Sequence, residues 1–274
     1  MTELGPLALV AALAAAYGAG VSRAWSRAGR GRLVHVQQVA LFALGLVATA
    51  AVLVGPIDAR ADHSLTMHMI QHVVLLSVAA PLLAAGEPFT ALLWALDDPT
   101  RARVSRWWRR VLRTQYGAGW FVWIAVTLVL QTTALFAWHL PAAYDGALRH
   151  PLLHGLEHLS FLLTAFAFWW VVACTGWRSR HGAGIFAVAA AWFPGTLLGV
   201  AMISAKAPWY HAYIHGSASA ALADQQMAGV VMWAFGGFAS IVAGIVLFAS
   251  WLQAVDRRHP SGEPVVVPTM EVMR

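Results

Sequence analysis

The sequence is poor in charge, in cysteine and in lysine. Only 11% of its 274 residues are charged, whereas 59% are hydrophobic; a water-soluble domain carries about 25% charged residues. That deficit, with a mean hydropathy of +0.64, excludes a water-solvated globular surface and identifies a multi-span membrane protein. The single cysteine, Cys174, excludes a disulfide framework. Phosphate-binding loops, a nucleophile elbow and paired catalytic carboxylates are all missing. The apolar segments leave no stretch long enough for a large soluble catalytic domain. Their polarity does not alternate along the chain, which excludes a transmembrane β-barrel. Lys206 is the one lysine among 18 basic residues. The net charge of +6 is read as membrane topology and not as a nucleic-acid surface.

A hydrocarbon core about 30 Å thick needs roughly 20 apolar residues in a helix. Seven stretches qualify: Gly5–Val21, Val34–Val54, Ser64–Ala85, Gly119–Trp138, Leu152–Thr175, Gly184–Ser204 and Gln225–Leu252. Backbone polar groups in lipid must be satisfied within the segment, so the expected fold is an all-α polytopic bundle of about seven transmembrane helices. It forms one domain over residues 1–255, followed by a cytoplasmic, disordered tail over 256–274 containing Pro260, Pro264 and Pro268.

The basic residues set the expected orientation. Arg23, Arg27, Arg30 and Arg32 follow the first span, and Arg101, Arg103, Arg106, Arg109, Arg110 and Arg113 follow the third. Arg178 and Arg180 follow the fifth, and Arg257, Arg258 and Arg274 follow the seventh. The opposite loops hold only Arg60, Arg149 and Lys206. The positive-inside rule then puts the N-terminus outside and the C-terminus inside.

On that topology, nine of the 12 histidines fall in outer loops or outer halves of spans. Their spacing concentrates them further. His68 and His72 are four apart, as are His150, His154 and His158, and again His211 and His215. Residues four apart share a helical face, so each set presents convergent imidazoles. Imidazole suits copper, zinc, iron and nickel, and thioether sulfur selects copper(I) more narrowly. Met67, Met69, Met202 and Met227 lie at comparable depth. His68, His72, His154, His158 and Glu157 belong inside the bilayer, where an ionisable group is costly and functional by default. The expected metal-binding set is therefore His68, His72, His154, His158, Glu157, His139, Met67, Met227, His211 and His215. Against it stands the plainer reading that a membrane histidine only hydrogen-bonds a neighbouring helix. That reading has even weight for His63, His150 and His215, and His139, beside Pro141, can equally cap a helix end.

Other features carry less chemistry. Trp107, Trp108, Trp120, Trp138, Trp177 and Trp209 lie near span ends and read as interfacial anchors. Residues Asp97 to Arg113 alternate Arg with Trp and apolar positions, as an amphipathic helix on an anionic leaflet would. Asp224 reads as the N-cap of the seventh span.

The run His68-Met69-Ile70-Gln71-His72, continuing through Pro81-Leu82-Leu83 to Gly86-Glu87-Pro88, resembles the signature of the CtaG family of cytochrome c oxidase assembly factors. Three further segments are similar to that family: Trp138-His139-Leu140-Pro141 with Tyr144, His150-Pro151-Leu152-Leu153-His154 through Glu157-His158, and Asp224-Gln225-Gln226-Met227-Ala228-Gly229. The resemblance implies a non-enzymatic role in maturing a caa-type haem–copper oxidase at the bacterial cytoplasmic membrane, with copper as cofactor or cargo. The partners implied are the oxidase subunits and the lipid bilayer, with a homodimer left open and no nucleic acid. Unlike related copper carriers, the chain has no CxxC or CxxxC pair, so any site must use histidine, methionine and carboxylate.

Two other functions remain open on sequence. A membrane b-type haem protein would take one histidine from each of two helices, although the four-residue pairs exceed that need. A copper transporter would need polar residues continuing to the inner side, where these spans are nearly bare of them.

Overall fold

A computed structural model describes residues 4–114, 119–173 and 181–258. Among them there is no strand. The helices are α1 (Leu4–Ala28), α2 (Val36–Leu53), α3 (Pro56–Ala61), α4 (Leu65–Val74), α5 (Ala80–Ala85), α6 (Pro88–Ala95) and α7 (Asp98–Thr114). They continue with α8 (Gly119–Trp138), α9 (Pro141–Arg149), α10 (Pro151–Val171), α11 (His181–Ile203) and α12 (Ala218–Arg258). Seven units are long and apolar enough to cross a membrane: α1, α2, the continuous run from α4 through α5, α8, α10, α11 and α12. α12 has 41 residues. At about 1.5 Å per residue it is roughly twice as long as a bilayer core is thick, so it projects well beyond it. Of the tail expected over 256–274, residues 256–258 belong to α12 and 259–274 lie outside the described residues, as do Cys174 and Trp177.

The third span is the hub. It packs against α2, α10 and α12, and 56% of its most apolar stretch is buried, against 17–28% in the other six. It is not one uniform helix. Between α4 and α5 the backbone widens into a π-helical stretch, Leu75–Ala79. Pro81 follows one residue later; its ring crowds the carbonyl four residues back, and a wider turn relieves that clash.

The start of α4 is fixed from another helix. Ser64 caps it locally, accepting from Met67 N at 3.4 Å. The Asp224 carboxylate reaches across from α12 and accepts from Leu65 N at 2.6 Å, Thr66 N at 3.3 Å and Thr66 Oγ1 at 2.6 Å. Asp224 is therefore not the N-cap of its own helix, which begins six residues earlier at Ala218. It caps its neighbour. Gln225 Oε1, next along, accepts from Trp209 N at 2.6 Å. α12 also meets α11 closely, because Gly199 and Gly229 face each other: a Cβ on Gly229 would stand 2.6 Å from Gly199 O. Small residues of this kind let membrane helices approach backbone to backbone.

At the opposite end of the bundle the arginine-rich segments gather. The amphipathic α7 has no buried residue and is tethered through Asp98, whose carboxylate lies 3.2 Å from Arg27 Nη1 and 2.7 Å from Arg101 Nη2. The hydrogen bond from Arg27 holds the Asp98 carboxyl below its usual range. Trp107 is exposed there, as an interfacial anchor should be, but Trp120 is buried in the core and donates to Val171 O.

Candidate metal centre

At the end of the bundle away from the arginines, α4 and α10 turn their histidines toward each other. On α4 the buried face carries Leu65, His68, Met69, His72 and Val73. On α10 it carries Glu157, His158 and Phe161. His68 and His72 are fully buried, His158 nearly so, and His154 is half-buried at the rim. Their rings make one contiguous set. Centroids are 4.4 Å apart for His68–His72, 5.0 Å for His68–His154, 5.2 Å for His72–His158 and 4.4 Å for His154–His158. Glu157 Oε1 lies 3.6 Å from His72 Nε2. The end of α8 adds His139, 5.5 Å from His72.

Two hydrogen bonds decide which nitrogens face the cluster. Tyr213 Oη donates to Ala61 O at 2.8 Å and lies 2.8 Å from His68 Nδ1. Burial raises the Tyr213 pKa, so the phenol keeps its one proton. That proton is given to Ala61, hence the Tyr213 oxygen must accept from His68 Nδ1–H. The lone pair of His68 is then on Nε2. His139 Nδ1 lies 2.8 Å from Leu135 O, which can only accept, so its lone pair is likewise on Nε2. That Nε2 stands 3.4 Å from Met69 Sδ. An imidazole lone pair and a thioether therefore converge with no proton between them. Hydrogen bonds from the second nitrogen commonly set the tautomer of metal-binding histidines in this way.

The supports come from sequence-distant segments. Asp145 on α9 accepts from the backbone N–H groups of His211 and Ala212 at 3.3 and 3.2 Å, fixing the turn His211–Tyr213 that presents Tyr213. Tyr210 Oη donates to His139 O at 3.0 Å. Gln71 Nε2 donates to Val52 O at 2.6 Å and to Asp58 Oδ1 at 2.9 Å. His154 is the most accessible ring of the cluster.

Not every expected residue is there. Met227 is 54% exposed, because the buried seam of α12 runs through Gln225, Ala228, Val231 and Met232 and leaves position 227 off the seam. Met67 lies outside the buried face of α4. The thioether at the cluster is Met69, while Met202 is buried in the apolar core. His211 is exposed, with Nδ1 3.5 Å from Asp145 Oδ2. His215 is exposed and pairs edge-on with His63 at 5.9 Å. These loop histidines do not join the set. Tyr213 has no expectation behind it; the signal was two tyrosines, Tyr210 and Tyr213, flanking a histidine in a short polar loop.

Seven buried polar atoms of the cluster have no hydrogen-bond partner among the described residues: His68 Nε2, both nitrogens of His72, His154 Nε2, His158 Nε2 and both carboxylate oxygens of Glu157. An unpaired buried polar atom costs about 1–3 kcal/mol. Such a concentration in one place fits a cation, which would engage several lone pairs together. Ligand atoms of His68, His154 and His158 lie within 4.8 Å of one another, and so do those of His68, His72 and Glu157.

The profile of the cytochrome c oxidase caa3 assembly factor family matches residues 15–254, a stretch that includes every residue of the cluster. No curated protein and no solved structure gives a significant match. The chain thus belongs to the cytochrome c oxidase caa3 assembly factor family.

Proposed function

We propose that this protein is a metallochaperone that binds copper(I) at the histidine cluster and delivers it to a haem–copper oxidase during assembly. The concentration of unpartnered imidazole and carboxylate atoms in one buried place carries this reading. Soft sulfur selects copper(I) over zinc, and the thioether of Met69 lies beside His139 Nε2 at the edge of the cluster, outside the two donor sets. The arginine-rich loops support an outside N-terminus and an inside C-terminus in the bacterial cytoplasmic membrane. The cluster then opens on the extracytoplasmic side, where His154 is within reach of an oxidase subunit. Transfer by ligand exchange needs an open position, which a half-buried rim supplies and a closed tetrahedral cage does not. Haem is not favoured: rings in edge contact at 4.4–5.5 Å leave no slot between them for a macrocycle.

The test is genetic. Replacing His72 or His158 with Ala should leave the protein in the membrane while lowering oxidase activity in copper-limited cells, and added copper should partly restore it. His35→Ala, at the arginine end, should change nothing. Full activity in both cluster variants would reject copper delivery.

A further inference from the structure

The donors form two overlapping sets. One is His68, His154 and His158; the other is His68, His72 and Glu157; within each, the ligand atoms lie within 4.8 Å of one another. The first includes half-buried His154, and the second has only fully buried side chains. His68 belongs to both. Its Nδ1–H is committed to Tyr213, which leaves one free lone pair, on Nε2. One lone pair bonds one ion, so the two sets cannot both be complete at the same time.

We propose that a single copper(I) ion occupies these two positions in turn while remaining bound to His68: an outer position with His154 and His158, where it is taken up and surrendered, and an inner position with His72 and Glu157, where it is held. This rests on the copper reading above and adds the path of the ion. In the inward step the bonds to His154 Nε2 and His158 Nε2 break as bonds to a His72 nitrogen and a Glu157 oxygen form. The oxidation state is unchanged. Keeping one ligand throughout means the ion is never bare in a low-dielectric interior, where an unpaired charge is very costly. The inner position also brings a carboxylate to offset the positive charge.

The surroundings make the rim the way in and out. His154 is half-buried, whereas His68, His72 and Glu157 are fully enclosed, so the cluster meets its surroundings at His154. On the other side of His72, the next turn of the third span lines a cavity of about 60 Å³ whose polar groups come from Ser77, Gln131, Trp192 and Ser240. The described residues lining it offer no imidazole and no carboxylate.

The experiment uses the full-length protein in detergent, copper(I) alone as probe, and a chromophoric copper(I) chelator as competitor. Equilibrium titration gives stoichiometry and affinity; rapid mixing with excess chelator gives the release rate. The wild type should bind one ion per chain. His154→Ala should keep its affinity but take up and release copper at least about tenfold more slowly, whereas His72→Ala should bind at least about tenfold more weakly and release no more slowly. Glu157→Gln, which keeps the side-chain shape, examines the inner position if His72→Ala fails to accumulate. Two ions per chain at saturation would overturn the proposal. So would His154→Ala and the inner-position variant changing affinity and rate in the same proportion. A wild type that binds no copper(I) would reject the copper reading itself, and the two-position path with it.

Discussion

The Tyr213 hydroxyl accepts a hydrogen bond from His68 Nδ1 across 2.8 Å while donating its own proton to Ala61 O. This pairing turns His68 Nε2 toward the other imidazoles and fixes the tautomer that can bind a metal. Tyr213→Phe removes the acceptor but keeps the ring that packs in the core. Copper(I) affinity should fall by about 10–100-fold, the usual cost of losing a partner that orients a metal-binding histidine. The protein should still accumulate in the membrane, and its melting temperature in detergent should change little. Unchanged copper affinity would mean that Tyr213 does not position His68.

Asp224 holds α12 to the first turn of α4 through two backbone N–H groups and the Thr66 hydroxyl. Asp224→Ala leaves those donors to the local Ser64 cap and to water. Loss of a helix cap costs about 0.5–2 kcal/mol. A lower melting temperature is expected, with faster hydrogen exchange confined to the start of α4 and the facing turn of α12. Asp224→Asn should recover part of the loss, because it still offers an acceptor.

Much of the fold can be read from the sequence because lipid is a strict solvent. Long apolar runs must be helices there, and the seven spans follow. The convergent histidines were also legible, since a four-residue spacing puts His68 with His72 and His154 with His158 on single faces. Helix phase relative to neighbours was not. Met67 and Met69 lie one step to either side of His68, and nothing local tells which of them faces α8. Met227 lies off the buried seam for the same reason: the seam of α12 is set by packing against α4 and α11. The π stretch before Pro81 and the cap given by Asp224 to another helix both depend on partners distant in sequence. The loop carrying His211 and His215 has helical spacing but folds as a short turn, so spacing of four brought no shared face.

The crossing of α11 and α12 leaves no room for a side chain at Gly229, where a Cβ would stand 2.6 Å from Gly199 O and 3.0 Å from Met202 Cβ. Gly229→Val should separate the two helices and lower the amount of protein recovered from membranes. Gly146→Ala, at an open position on α9, should have no such effect. Normal yield and melting temperature for Gly229→Val would contradict the close crossing.

The orientation is checked by reporter fusions. One placed after Arg106, on the arginine-rich α7, should report the cytoplasm. One placed after Tyr144, on α9 beside the cluster, should report the outside. The same compartment for both would overturn the orientation and, with it, an extracytoplasmic cluster.

The central claim is that the buried imidazoles, with Glu157, hold copper. Metal analysis joined to an absorption spectrum on protein purified from its native membrane tests it most directly. Copper at close to one ion per chain, lost in a His68→Ala variant and accompanied by no haem absorption band, is the expected result. A protein free of copper, or one carrying a haem band in place of it, would contradict the account.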